Sequence, residues 1–238
     1  MIHSIVQQTT AFITGLPWLA LTLIAYGIAL SMYRRSRGSA FFLPVFWGVL
    51  LVLGVLHLTG ADLAAYAQGN KVLEWLIGPA TVALAIPLYG QLHRLKRYVV
   101  PIAIALGVGS LTAVVSAVGI AWLFDASLQT RLSLAPKSAT MPIAMDIAKL
   151  TGGIASLASI GVAITGIGGA MAGSFVLKWL PVKTPEAQGF ALGLTAHAIG
   201  VARGLQINET AGAFAALGMG LNGIASAVII PVFWGVFG

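Results

Sequence analysis

The segment LAPKSATMPIAM, residues 134–145, sets Lys137, Ser138 and Thr140 between Pro136 and Pro142. A cation beside two hydroxyls suits a small anion such as a carboxylate, with the hydroxyls left for neighbouring oxygens. The prolines add backbone groups to that set. Pro142 has no N–H and its ring clashes with the carbonyl four residues back, so the Ser138 carbonyl loses its helical partner. Pro136 likewise disturbs any helix arriving from residue 132. A helix starting near Pro142 would aim its positive end into the same space. The plainer alternative is a kinked loop whose lysine stretches to water.

A second set surrounds His197. Gly189, Gly193, His197, Gly200 and Gly204 follow steps of four, four, three and four, one face of a continuous helix. Glycine costs a helix about 1 kcal/mol each, so close backbone approach must compensate. A histidine on such a face points into protein, where it either exchanges a proton near neutral pH or holds two helices together. Arg203 is an anion contact or an interface anchor. Asp146 either pairs with Lys149, carries a proton or faces solvent. Small residues recur at Gly161, Thr165, Gly168 and Ala172, and at Gly212, Ala216, Gly220 and Gly223, and read as packing seams. The chain has no cysteine, metal-ligand cluster or phosphate-binding loop, so neither an enzyme nor a bound metal or cofactor is expected.

The elements that must position these residues lie in lipid. Of 238 residues 58% are apolar and only 8% charged, against about a quarter charged in soluble domains. No Asp, Glu, Lys or Arg interrupts 11–33, 38–61, 98–124, 150–177 or 210–238. Each run exceeds the ~20 residues that span the hydrocarbon. The expected fold is an all-α polytopic membrane protein of one transmembrane domain, 1–238, with about seven to eight hydrophobic segments. Three segments are marginal, 75–92, 132–148 and 187–202, and hold the paired prolines, clustered glycines and most polar groups. Pro79 and Pro87 mark breaks in the first. Short Gly/Pro-interrupted segments of this kind form the discontinuous helices of secondary transporters.

The net charge of +7 follows loop topology and does not indicate nucleic acid. Arg34, Arg35 and Arg37, then Arg94, Lys96 and Arg97, then Lys178 and Lys183 fall in short loops, the cytoplasmic pattern. They also stand where anionic headgroups lie. For all three clusters to share a side, 75–92 must cross, whereas 132–148 must enter and return.

PATVALAIPLY (79–89), PKSATMPIA (136–144), GGI (152–154), GFALGLTAHAIGVARGL (189–205) and GAFAALGMGLNGI (212–224) together resemble the LrgB/CidB family of bacterial membrane proteins. The resemblance implies a multi-pass protein of the bacterial cytoplasmic membrane. Family members are described as holin- or antiholin-like modulators of murein hydrolase activity and lysis, beside a small LrgA/CidA-type partner. Relatives, including the plastid glycolate/glycerate translocator, move small monocarboxylates. The implied function here is a secondary transporter of glycolate, glycerate, lactate or pyruvate type; His197 would couple it to protons or order the broken helices, and Asp146 is a second candidate for the proton. The substrate would meet Lys137, Ser138, Thr140, His197, Arg203 and backbone freed by Pro136 and Pro142. The competing class is a non-transporting lysis regulator that forms homo-oligomers or binds a partner. Ala139, Met141, Ala196 and Val201 depart from the family pattern, where Val, Thr, Ser and Thr are common, and each change alters a polar contact.

Overall fold

The computed structural model describes the backbone of residues 2–180 and 182–237, and the side chains of 15–180 and 182–235. The side chains at 11–14, which open the first apolar run, and Gly238, which closes the last, lie outside the described residues. Among those described there are helices and no strands. The chain divides into two compact units between Ala83 and Leu84.

The first unit holds α1 (Ile2–Arg35), α2 (Pro44–Thr59), α3 (Leu63–Gly69) and α4 (Lys71–Ala83). The run at 38–61 yields a helix of only 16 residues, shorter than the expected span. Pro44 starts it at the first helical turn, where a missing N–H costs nothing. Gly60, at φ 64°, ends it in the left-handed conformation glycine tolerates. Asp62 caps α3 by accepting from the Ala64 N–H at 3.1 Å. Ala25, Val52 and Leu56 form the buried core with Trp18 and Tyr66 beside them. The Thr22 hydroxyl lies 2.8 Å from both the Tyr66 hydroxyl and the Asn70 amide oxygen.

Pro79 lies inside α4, which continues through it and is not broken there. The interruption falls at Leu84 instead. Pro87 removes the N–H that the Ala83 carbonyl would take, and α4 stops at that residue.

The second unit comprises α5 (Ala85–Gly90), α6 (Leu92–Arg97), α7 (Val99–Leu123), α8 (Leu128–Leu134), α9 (Met141–Thr151), α10 (Ala155–Trp179), α11 (Pro185–Ile207) and α12 (Glu209–Phe237). Among the described residues five helical stretches are long and apolar enough to cross a membrane: Gly15–Arg35, Lys71–Gly90, Val99–Leu123, Ala155–Trp179 and Glu209–Gly235. Their outward residues are hydrocarbon, as at Ile104, Val108, Leu111 and Val115 on α7. Exposed apolar surface on that scale belongs in a bilayer. The protein is a multi-pass, all-helical membrane protein.

Arg94 fixes one end of this unit. Its guanidinium donates to the Glu186 carboxylate at 3.0 Å and to the Thr210 hydroxyl at 3.4 Å. The starts of α11 and α12 therefore lie together beside α6. Since α11 begins and ends at that end, it must reverse, and it does so at His197. There φ is 41° and ψ −128°, outside the helical region. Gly200 lies so close to Leu192 that an added Cβ would strike the Leu192 carbonyl. Eight residues of continuous helix would separate them by ~12 Å. α11 is thus a hairpin with an ingoing arm before His197 and a returning arm after it. The single helical face expected through His197 is replaced by this reversal. The glycines keep the purpose expected of them. A Cβ at Gly189 or Gly193 would run into the carbonyls of Ala211 or Ala215 on α12.

A second hairpin, α8 to α9, enters from the opposite end. Ser127 caps α8 by accepting from the Thr130 N–H at 3.2 Å. The chain leaves helix at Ala135, turns through residues 135–140 and returns as α9. Gly152, at φ 86°, ends α9. The Ile154 N–H then donates to the Ser133 hydroxyl at 2.7 Å, closing the hairpin at its neck. Ile147 packs with Ile230 and Val118 toward the far ends of α12 and α7.

Candidate functional site

The tips of the two hairpins meet beside the middle of α12, and one side chain joins them. Asn222 is 1% exposed. Its amide nitrogen donates to the Ser138 carbonyl at 2.8 Å and to the Leu194 carbonyl at 3.2 Å. Its oxygen accepts from the Ser110 hydroxyl of α7 at 2.7 Å. Both carbonyls are ones that a helix break has released. Pro142 cannot supply the N–H for Ser138, and the reversal at His197 carries away the N–H that would meet Leu194. An unpaired carbonyl in a buried, lipid-enclosed site costs several kcal/mol on transfer scales, so a donor must be built in.

His197 is 5% exposed. Its Nε2 lies 3.0 Å from the Val162 carbonyl of α10. A carbonyl only accepts, so Nε2 carries the hydrogen and the contact selects that tautomer. A positive φ at a non-glycine residue is strained, and such strain persists only where surrounding contacts hold it. Gly166 leaves room for the imidazole, because a Cβ there would collide with its ring.

Between the tips, α7 and α10 lies a cavity of about 570 Å³, the size of a small-molecule site. Lys137 and Ser138 line it from one tip and Thr195 from the other, with Thr112, Thr165 and Gly168 on its walls. Lys137 Nζ reaches the Ser138 hydroxyl at 3.5 Å, the long limit of a hydrogen bond. A single cation among hydroxyls, in an open cleft with glycine and aliphatic walls, offers one anionic subsite with neutral donors around it.

The other expected site residues are placed differently. His197 stands behind the tip, bonded to α10, and does not line the cavity. Thr140 caps α9 by position without a side-chain capping bond, and Pro142 occupies the first turn. Pro136 is fully buried beneath the loop. These three shape the break and do not face the cavity. Asp146 pairs with Lys149 at 3.2 Å, the two side chains 71% and 62% exposed. Arg203 lines a separate cavity, donating to Ser174 at 3.0 Å and Gln206 at 3.1 Å. Among the described residues no group of acidic and histidine side chains could hold a metal.

The sequence matches the LrgB-like family over residues 22–236, which include both hairpins and Asn222. The chain belongs to the LrgB family. Curated relatives agree. It is 36% identical to the antiholin-like protein LrgB of Bacillus mycoides (strain KBAB4) over 217 residues, covering 90% of this chain and 94% of the relative. The antiholin-like LrgB proteins of Bacillus cereus (strain B4264) and Bacillus anthracis (strain CDC 684 / NRRL 3495) are each 35% identical over the same shares. No solved structure matches it.

Three groups in this LrgB-family site are not among the residues expected to form it. Asn222 is the one asparagine in the uncharged run 210–238, and that isolation was a usable signal. Thr165 and Gly168 looked like a packing seam but face the cavity, where Gly168 has open space beside it. Thr195 precedes the reversal, which nothing local announces. Two of the departures from the LrgB pattern, Ala139 and Ala196, are buried without polar contacts of their own side chains.

Proposed function

We propose that this LrgB-family protein is a secondary transporter of small monocarboxylates in the bacterial cytoplasmic membrane. What carries the reading is the meeting of two opposed hairpin tips at a cavity holding Lys137. In this reading the Lys137 ammonium takes the carboxylate as a charge-assisted hydrogen bond. Ser138, Thr165 and Thr195 take hydroxyl or keto oxygens of a glycolate-, glycerate-, lactate- or pyruvate-sized molecule. Pro136, Pro142 and Thr140 act by holding the tip out of helix. His197 orders the α11 tip against α10 and is the candidate for proton coupling. Exposed Asp146, already paired with Lys149, is the weaker one. Discontinuous segments entering from both ends suit alternating access to one site. Arg203, in its own cavity, takes no part at Lys137.

Uptake of radiolabelled glycolate, lactate and pyruvate into proteoliposomes of the purified protein tests this. Saturable flux that falls at least tenfold in Lys137→Met is expected. Absence of flux, with and without a pH gradient and a small LrgA/CidA-type partner, refutes transport.

A second reading has its own support in the relatives' name. As an antiholin-like regulator the chain would act on lysis through a partner or through self-association. Purified protein that carries no solute, yet alters lysis in cells with Lys137→Met as effectively as wild type, would favour it.

A further inference from the structure

The cavity that holds Arg203 has a chemistry of its own. It measures about 480 Å³ and is lined by Ser174 and Lys178 of α10, Lys183 and Gln188 near the start of α11, and Arg203 and Ile207 on its returning arm. Three cations converge there, and among the described residues no carboxylate lines it. The ion pairs among the described residues, Arg94–Glu186 and Lys149–Asp146, use neither Lys178 nor Lys183. Helix ends account for only part of this charge. The C-terminal ends of α10 and of the returning arm border the cavity, each worth about −0.5 elementary charge. Together they offset about one of the three lining cations.

The donors are partly set in advance. Arg203 Nε donates to Ser174 at 3.0 Å and Nη1 to Gln206 at 3.1 Å, which holds the guanidinium plane in place. The Gln188 amide donates to the Val182 carbonyl at 2.6 Å and so ties the 182–184 linker to α11. Around the cavity the surface turns to hydrocarbon. Phe175, Trp179, Leu180 and Leu205 are all exposed, Trp179 by 83%. Indole and ammonium side chains together at a helix end mark the headgroup level of a bilayer.

We propose that this cavity binds a phosphate group, apart from the solute site at Lys137. Two or more basic side chains with an arginine fork match the geometry and charge of a phosphate better than they match a single carboxylate. Its source is either the headgroup of an anionic phospholipid or a free phosphate compound. The apolar rim favours the lipid, because acyl chains would lie against Phe175, Trp179 and Leu205 while the headgroup enters between the helix ends. Basic pockets between helix ends on the positively charged side of a membrane protein are the usual seats for such headgroups.

The full chain, purified and placed in nanodiscs, tests the proposal by thermal unfolding. Replacing part of the phosphatidylcholine with phosphatidylglycerol should raise Tm saturably by about 5 °C. Lys178→Gln/Lys183→Gln, at exposed positions that leave the Ser174 and Gln206 bonds intact, should remove most of that shift. Arg203→Gln should remove it as well. Arg34→Gln/Arg35→Gln, a basic pair elsewhere, should keep it. In detergent, inorganic phosphate alone at millimolar concentration separates the sources. A saturable shift lost in the lysine double variant assigns the site to free phosphate, and no shift beside a phosphatidylglycerol response assigns it to lipid. The proposal is overturned if neither probe shifts Tm, if the lysine double variant keeps the shift, or if the Arg34/Arg35 variant loses it equally. Solute uptake is measured separately, so failure here leaves the Lys137 reading standing.

Discussion

Replacing Asn222 by leucine, similar in volume, should cost far more than its one side chain suggests. The substitution keeps the space filled and removes two donors and one acceptor. The Ser110 hydroxyl can turn to a backbone carbonyl of its own helix, so its loss is small. The Ser138 and Leu194 carbonyls have no such recourse. Pro142 lacks an N–H, and the reversal at His197 has taken the other donor away. Each buried carbonyl left unpaired costs about 1–3 kcal/mol in proteins generally. Hydrogen bonds between membrane helices average nearer ~0.6 kcal/mol, because unfolded helices in lipid also find partners. The contacts of 2.8 and 3.2 Å are fully buried and sit at broken backbone, so the expected cost is about 2–3 kcal/mol, above the membrane average. At roughly 2–4 °C per kcal/mol for a chain of this size, Tm in detergent should fall by about 5–10 °C. Ser110→Ala should cost below about 1 kcal/mol, and adding it to Asn222→Leu should cost little more, since the shared partner is already gone. Thermal unfolding of the four proteins reads this directly. An Asn222→Leu protein within about 0.5 kcal/mol of wild type, or full additivity with Ser110→Ala, would refute the joined-tip account.

Other substitutions separate structure from solute binding. Gly193→Ala drives a Cβ into the Ala215 carbonyl and should destabilise by roughly 3 kcal/mol or abolish folding, seen in Tm and detergent-soluble yield. Gly168→Ala meets no neighbour, so Tm should hold while the smaller cavity raises the KM of uptake severalfold. Ser133→Ala leaves the Ile154 N–H without its acceptor and should cost about 1–2 kcal/mol, with faster amide exchange confined to the neck of the α8–α9 hairpin. His197→Gln can keep a donor toward Val162 but cannot carry a proton. Uptake that loses its pH dependence while Tm stays near wild type identifies His197 as the coupling group, and unchanged pH dependence removes it from that role.

The lipid-borne character of the fold was legible from uncharged runs, and the break at 135–140 from two prolines. Pro142 alone shows that the Ser138 carbonyl needs a partner, though not that Asn222 supplies it. That supply depends on residues 84 positions apart and leaves no local trace. The reversal at His197 was hidden for a related reason. Its glycines keep helical spacing on either side, and what turns the chain is contact with Val162 and Asn222, both distant in sequence. Arg203 looked like a companion to Lys137 because both are cations in polar segments. The hairpin that contains Arg203 carries it back to the end from which the hairpin started.

A primary amide has two hydrogens on its nitrogen, and Asn222 gives one to each tip. Withdrawing either tip breaks one bond and leaves the other in place, whereas withdrawing both together strips the amide completely. If the tips part during transport as proposed, a latch of this kind would make each half-open arrangement cheaper than the fully open one. In the transport reading it would thereby guard against a leak across the bilayer using one residue that is 1% exposed.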